Sequence, residues 1–234
     1  MFAESTAEPD FVREGWCPPF EQIGDKDVAA YIARWGQEWK EDGSVERAPC
    51  TGAYLAAHEG NFPMLRYMVE KVGCDVRTQN AVGVTPLIMS ARQGFNTIVT
   101  YLIDTLQKVC KDEAEFKANL DIKSTAGLGL CAMDGAATRG HASTLRLLAS
   151  RGADIAARRT NGRTPLHSAA AFGHASCVRE LLALGADPTL VDNDGKLPAE
   201  LVTKSCSTSA WPTMDYDEVL QLLREAVEAK KPKA

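Results

Sequence analysis

The stretch from Asn161 to Thr189, NGRTPLHSAAAFGHASCVRELLALGADPT, limits the folds open to this chain more than any other part of the sequence. Thr164 is a good helix cap, and Pro165 follows it at the first helical position, where a missing N–H breaks no hydrogen bond. Two apolar helical stripes come next, and each ends at a glycine, Gly173 and Gly185. The stretch therefore predicts two short antiparallel helices and a turn.

Copies of this unit recur along the chain at a fixed interval. Gly162 and Gly195 are 33 residues apart, and so are Gly140 and Gly173. Two short helices cannot bury their own apolar face, so a unit of this kind must stack on its copies. The sequence thus predicts a row of stacked repeats in place of one closed core.

The motifs of this block, TPLHSAA, GH and GAD in that order, are specific. The block resembles the ankyrin repeat family, whose period is about 33 residues with a T-P-L-H-x-A signature. The resemblance covers residues 50–227 and implies an all-α solenoid of helix-turn-helix units with short β-turn or hairpin loops and divergent capping ends. We expect an acidic arm and capping helix in residues 1–48, about five repeats in residues 49–228 and a short basic tail in residues 229–234.

Both ends of the array are expected to be caps, because stacked repeats need polar outer faces for solubility. At the back, a polar loop from Lys204 to Thr213 leads into a helix predicted for Tyr216–Glu228. At the front, Asp25 precedes a stripe of apolar residues at helical spacing, which we interpret as packing on the first repeat. That stripe comprises Val28, Ile32, Trp35 and Trp39.

The second repeat contains an insertion. From Gly83 to Gly129 there are 46 residues where the period is 33, so 13 residues are inserted. The segment TLQKVCKDEAEFKA holds no glycine or proline and consists largely of helix formers. It predicts that the second helix of this repeat runs on for roughly 20 Å and projects beyond its neighbours. A neutral insertion and a functional projection both remain open.

The third repeat departs from the motif. It reads Cys131-Ala132-Met133-Asp134 where the fourth repeat reads T-P-L-H. Asp134 and Gly135 fall in the helix interior, where both residue types are poor helix formers. We therefore expect this helix to be intrinsically weak.

Composition excludes several classes of protein. The formal net charge is −5, and the acid is concentrated in residues 1–48, which hold 11 Asp/Glu and 5 Lys/Arg, so we expect no nucleic-acid partner. The seven cysteines are scattered without a C-x-x-C pair, which indicates free thiols in a reducing compartment. No stretch approaches the roughly 18 apolar residues of a membrane span. We expect a cytoplasmic protein, with the nucleus as the alternative.

Catalytic, cofactor and metal motifs are absent from the sequence. Family resemblance gives His167 a structural role in the first-helix turn, and His141 and His174 follow helix-ending glycines in an equally structural position. His58 remains, and a thiol site made with Cys50 is an alternative hypothesis. We expect a protein that is not an enzyme and binds no cofactor or metal.

The resemblance also implies where binding occurs. Ankyrin proteins usually bind partners with the hairpin tips and the exposed face of the first helices, which line a concave groove. Apolar tips with arginines beside them are typical of protein-binding hot spots, and they imply an acidic, partly apolar protein partner. The positions carried over to this chain are Val82, Val84, Arg92, Gln93, Leu128, Leu130, Arg139, Asn161, Arg163, Phe172 and Lys196.

Two questions stay open on the sequence alone. A regulatory subunit or assembly chaperone of a larger complex is the alternative function, with contacts made by the extended helix, including Glu113, Glu115 and Lys117, or by the acidic arm. Oligomeric state is not encoded in any motif, although two polar caps favour a monomer.

Overall fold

The computed structural model describes residues 20–24, 26–27, 30–31, 50–125, 127–202 and 215–230. The chain divides into two compact units, residues 1–75 and residues 76–234, which we call unit 1 and unit 2. Three predicted features lie wholly or largely outside the described residues: the N-terminal arm with most of the predicted capping helix, the Lys204–Thr213 loop and most of the basic tail.

Unit 1 contains a short 3-10 helix, Phe20–Gln22, and two α-helices, α1 Cys50–Glu59 and α2 Phe62–Glu70. Asn61 caps α2, since its side-chain oxygen accepts a hydrogen bond from the Met64 N–H at 3.1 Å. Tyr31 is fully buried, and its hydroxyl donates to the Glu59 carboxylate at 2.8 Å. A residue of the predicted front cap therefore packs on the first helix pair.

Unit 2 consists of helices in two layers, and its described residues form no strand. Neighbouring first helices pack side by side in one layer, and the second helices pack side by side in the other. The first helices are α3 Pro86–Gln93, α6 Ala132–Arg139, α8 Pro165–Ala171 and a 3-10 helix, Pro198–Leu201; the second helices are α4 Asn96–Val109, α7 Ala142–Ser150, α9 Ala175–Ala183 and α10 Tyr216–Lys230, and the insertion adds α5 Glu113–Leu120.

The core of unit 2 lies between these two layers. Small side chains such as Ala136 and Ala169 are fully buried on the first helices, which allows neighbouring helices to approach closely. Larger aliphatic residues, including Leu102, Leu145 and Leu181, are fully buried on the second helices. The all-α repeat architecture expected from the motifs is confirmed.

Within unit 2, an aromatic ring joins each of the last three repeats to the repeat before it. The His174 ring lies over Gly140, which ends α6 with φ +85°, and the His174 Nε2 is 3.0 Å from the Thr138 carbonyl oxygen. The His141 ring lies over Gly94 in the same way. At the end of the array the Tyr216 ring takes this position over Gly173. The helix-ending glycines thus meet two requirements: each takes the left-handed backbone conformation, and each leaves room for the ring because it has no Cβ.

The expected single long helix of the second repeat is wrong. Helix α4 ends at Val109, because Cys110 takes an extended conformation, and Asp112 then caps the separate helix α5 by accepting from the Glu115 N–H at 2.7 Å. The chain turns here although most residues of the insertion are helix formers, because Asp112 provides a cap and α5 packs back on α4, burying two apolar side chains. Those side chains are Phe116 and Leu120.

The first helix of the third repeat forms despite its poor helix formers. Gly135 lies against α3, where a Cβ would come within 3.3 Å of the Arg92 Cβ and 3.4 Å of the Ile88 carbonyl oxygen. Glycine at this position therefore allows α3 and α6 to pack closely, and this packing compensates for low helix propensity. The carboxylate of Asp134 is fully buried and has its own partners, described below.

The glycine–ring contact predicts a measurable difference between two glycine substitutions. Gly94 and Gly152 have φ of +80° and +87°, but a Cβ on Gly94 would lie 2.5 Å from His141 Nδ1, whereas nothing lies within 4 Å of one on Gly152. Gly152→Ala is expected to cost about 1 kcal/mol for backbone strain alone. Gly94→Ala is expected to cost at least about 1 kcal/mol more, measured by urea unfolding. Equal losses in the two variants would show that the ring contact is unimportant.

Unit 2 is expected to lose stability in mild acid because three of its histidines are buried. Burial lowers the pKa of His141, His167 and His174 below the ordinary value of 6.5, so the unfolded chain takes up more protons than the folded chain as pH falls below that value. Stability is therefore fully present above pH ~6.5 and is lost as the pH falls below that value, by at most about 1.4 kcal/mol per pH unit for each histidine.

The measurement is the urea midpoint as a function of pH, with His174→Gln as the comparison. Raised pKa values of Asp121 and Asp134, caused mainly by burial, act in the opposite direction, and they are common to both proteins. His174→Gln is expected to show a shallower pH dependence over this range. Identical profiles for the two proteins would contradict the assignment.

Candidate functional site

Four loops of unit 2 project between the repeats, and we call them tips 1 to 4: residues 79–84, 123–130, 158–163 and 191–196. Each tip is closed by a backbone hydrogen bond at its base, for example from the Arg159 N–H to the Arg163 carbonyl at 2.8 Å. In tip 1 the Asn80 side chain accepts from the Val82 and Val84 N–H groups. Asp192 of tip 4 bonds its own loop in the same way, and the turn glycines of all four tips take the left-handed conformation.

Hydrogen bonds also join each tip to the next. The Gln79 side-chain amide donates to the Lys123 carbonyl at 3.2 Å, which links tips 1 and 2. The Thr160 N–H donates to the Leu128 carbonyl at 3.1 Å, and the Asn193 N–H donates to the Asn161 carbonyl at 3.0 Å. The tips therefore form one continuous row. We call this row, together with the last residues of the first helices, the tip face.

The structure places the predicted tip residues along this row. Val82 and Leu128 are both 46% exposed, and Lys196 is also exposed. The other predicted residues of the first three tips are half-buried. These are Val84, Leu130, Asn161 and Arg163.

The predicted helix residues lie at the ends of the first helices. Arg92 and Gln93 are half-buried at the end of α3, and Arg139 is exposed at the end of α6. Phe172 follows α8, is 40% exposed and stacks on the His174 ring with centroids 6.4 Å apart. Since that ring lies over Gly140, the residue after Arg139, the structure brings an exposed aromatic and an exposed cation to neighbouring helix ends.

Arg163 has a structural role that the sequence did not indicate. Its guanidinium donates to the buried Asp192 carboxylate at 3.2 Å, across from tip 3 to tip 4. The Lys196 backbone N–H and this guanidinium hold the pKa of Asp192 below its usual range. Arg163 thus fixes the geometry of the row. Because Asp192 holds its guanidinium, Arg163 is less available to a partner than its prediction as a binding residue implied.

A second buried ion pair, also missed from the sequence, fixes tip 3 to the first helices. The Asp134 carboxylate on α6 pairs with Arg159 of tip 3 and accepts from the Ser168 hydroxyl on α8 at 2.6 Å. Arg159 also donates to the Thr138 hydroxyl at 2.8 Å. Burial raises the pKa of Asp134, and Arg159 and Ser168 oppose this shift by favouring the carboxylate.

The signal for this ion pair was the repeat spacing. Asp134 lies 33 residues before His167, so it occupies the histidine position of T-P-L-H. In the fourth repeat His167 bonds Thr164 within its own helix turn and the Lys196 carbonyl of tip 4. Aspartate in the same position reaches the next tip through an arginine side chain.

The described residues offer no assembled catalytic or metal site. None of their histidines, cysteines, aspartates or glutamates form a group of three that suits a metal ion. Burial raises the pKa of both Cys131 and Cys177 to about 12, so these thiols stay protonated at neutral pH. The Cys50 side chain lies outside the described residues, and the His58 ring stacks on Tyr54.

Two family models match the sequence. One, described as ankyrin repeats in three copies, matches residues 53–159, and the other, described as ankyrin repeats in many copies, matches residues 136–202. Between them they cover all four tips and the first helices of the tip face. Among the described helices, none is both long enough and apolar enough to cross a bilayer.

The buried ion pair predicts unequal costs for removing two carboxylates. Asp134→Ala leaves the Arg159 guanidinium, whose side chain is 9% exposed, without its counter-charge, and it is expected to cost about 3–5 kcal/mol. Glu218→Ala removes an ion pair with Arg179 on the surface and is expected to cost under about 1 kcal/mol. Chemical unfolding monitored by circular dichroism measures both.

A double variant separates lost pairing from lost packing. Asp134→Ala combined with Arg159→Met removes both charges, so it is expected to recover much of the stability that the single change loses. If Asp134→Ala is no more destabilising than Glu218→Ala, the ion pair does not hold tip 3 in place.

Proposed function

This chain belongs to the ankyrin repeat family, and on that premise we propose that it is a noncatalytic adaptor or scaffold whose tip face binds another protein. Ankyrin repeats generally serve as protein–protein interaction modules, and domains built from them are typically noncatalytic. The observation that supports the tip face is the exposure of apolar and cationic side chains together on one continuous surface of unit 2.

Several charges of the second-helix layer are matched within the protein. Arg146 on α7 pairs with Glu180 on α9 at 2.6 Å, and Arg179 on α9 pairs with Glu218 on α10. Exposed cations also remain in this layer, at Lys108 and Arg224, so cations alone do not distinguish the two surfaces. The tip face is preferred because exposed apolar side chains, including Phe172, Leu128 and Val82, accompany its cations.

The tip face differs in the balance of its exposed charges. Its exposed cations include Arg139, Arg158 and Lys196, whereas Asp134 and Asp192 are buried against arginines. Asp194 is the exposed carboxylate among the described residues of the four tips, and Glu200 is exposed near the end of the last first helix, so exposed cations outnumber exposed carboxylates. A partner that offers carboxylates therefore meets complementary charge here.

Apolar anchors accompany these cations. Phe172 is held against the His174 ring before any partner arrives, so binding it costs little side-chain entropy. Val82 and Leu128 add aliphatic surface at the tips. Aromatic side chains and arginine are enriched at protein interfaces, and aliphatic side chains beside them exclude water from the contact. We infer a partner surface that is acidic and partly apolar.

The test is affinity capture from cell extract with matched variants, followed by mass spectrometry. Leu128→Asp and Arg139→Glu are expected to reduce capture of specific partners at least tenfold, since hot-spot losses exceed about 1–2 kcal/mol. Arg92 and Arg163 are unsuitable for charge reversal, because the first packs against Gly135 and the second pairs with Asp192. Circular dichroism checks that each variant is folded.

Lys108→Glu and Lys117→Glu are the matched controls, because both reverse an exposed cation on the insertion side of unit 2. These variants are expected to capture the same partners as the unaltered chain. Loss of partners in the controls, with retention in Leu128→Asp and Arg139→Glu, would refute the tip face and favour a regulatory subunit or assembly chaperone that uses α4 and α5.

A further inference from the structure

The character of the tips changes halfway along the row. In each tip one side chain lies just before the turn glycine, at the apex, and one lies just after it, on the arm that enters the first helix. Tips 1 and 2 carry apolar residues at both positions, and tips 3 and 4 carry polar or charged residues at both. The apex residues are Val82, Leu128, Asn161 and Asp194, and the arm residues are Val84, Leu130, Arg163 and Lys196.

Neighbouring cations lie at the polar half of the row. Arg158 is exposed, and its guanidinium donates to the Gly162 and Val191 carbonyls at 3.0 and 2.9 Å, which holds it between tips 3 and 4. The backbone of Lys123 belongs to tip 2, but its side-chain amine donates to the Arg158 carbonyl at 2.7 Å and so lies toward tip 3. With Lys196, these side chains outweigh the exposed carboxylate of Asp194.

The geometry of the row sets a spacing for anything that lies along it. Adjacent packed helices are about 8–10 Å apart, and each tip leads into one helix of the first layer. An extended peptide in the polyproline II conformation advances about 3.1 Å per residue and has three residues per turn, so every third side chain points to the same face and reaches the next tip. Hydrogen bonds between tips fix this row as a continuous surface before a partner binds.

We propose that the tip face binds an extended, acidic-ended segment of the partner protein in one fixed orientation. Two apolar side chains of the segment, three residues apart, contact tips 1 and 2, and carboxylates that follow at similar spacing contact tips 3 and 4. This inference rests on the proposed function and adds to it the conformation, spacing and polarity of the bound segment. Charge complementarity at one end and apolar contact at the other select the orientation.

A peptide library displayed on phage, with random segments of about twelve residues, provides the probe. Selection is carried out against the whole chain, and enriched segments are synthesised with a fluorescent label for affinity measurement. Enriched segments are expected to carry apolar residues three apart at one end and Asp or Glu at the other. Either chain direction satisfies the proposal, provided that all enriched segments share it.

Variants of the protein then assign each end of the segment. Leu128→Ser is expected to weaken binding at least tenfold and to remove the benefit of the apolar residues. Lys196→Glu is expected to weaken binding of the acidic peptide severalfold, and lysine in place of the facing peptide carboxylate is expected to restore it. Lys117→Glu, which reverses an exposed cation on α5 outside the four tips, is the control and is expected to leave binding unchanged.

The outcomes separate this inference from the proposed function. Enriched segments with mixed apolar and acidic positions, or with no response to Lys196→Glu, would overturn the polarity while leaving the tip face as the binding surface. Failure to enrich any segment, when captured proteins still depend on Leu128 and Arg139, would show that a folded surface binds instead. If no segment is enriched and the captured proteins do not depend on Leu128 and Arg139, the proposed function is refuted as well. Equal affinity for a labelled single-stranded DNA would overturn a protein occupant.

Discussion

The stacking of unit 2 depends on one contact, an aromatic ring placed directly over the glycine that ends the preceding first helix. His141, His174 and Tyr216 each supply this ring, and the contact requires a residue without Cβ in a left-handed conformation. The same glycine closes its helix and accepts the next repeat. Because one residue satisfies both requirements, helix length and repeat spacing are set together, and the tips that follow are held at regular intervals.

This contact explains why much of the fold was predictable from the sequence. Gly140-His141 and Gly173-His174 recur at the repeat period, and Thr164-Pro165 marks where a first helix begins. Such signals are local, since the residue that ends a helix acts through its own backbone conformation. The array of helix pairs, their order and the exposed tip positions all follow from them.

The parts that could not be predicted depend on contacts between residues far apart in the sequence. Nothing near Asp134 indicates that Arg159 will neutralise it, and Arg163 gives no sign that it will pair with Asp192. The break at Cys110 is of the same kind. Most residues of the insertion are helix formers, but Asp112 is a local N-cap, and it acts together with the burial of Phe116 on α4 to place the break.

The periodic and the variable residues of the tips have different physical roles. The turn glycine and the closing backbone bonds are similar in tips 1, 3 and 4, because they form the turn itself. At Gly83 and Gly162 a side chain would also collide with the next tip. Apex and arm positions have more freedom, since their side chains are at least partly exposed. The change from Val82 and Leu128 to Asn161 and Asp194 therefore costs the fold little. A difference that stability does not require, on a surface that stacking keeps rigid, is the kind of feature from which partner selectivity arises.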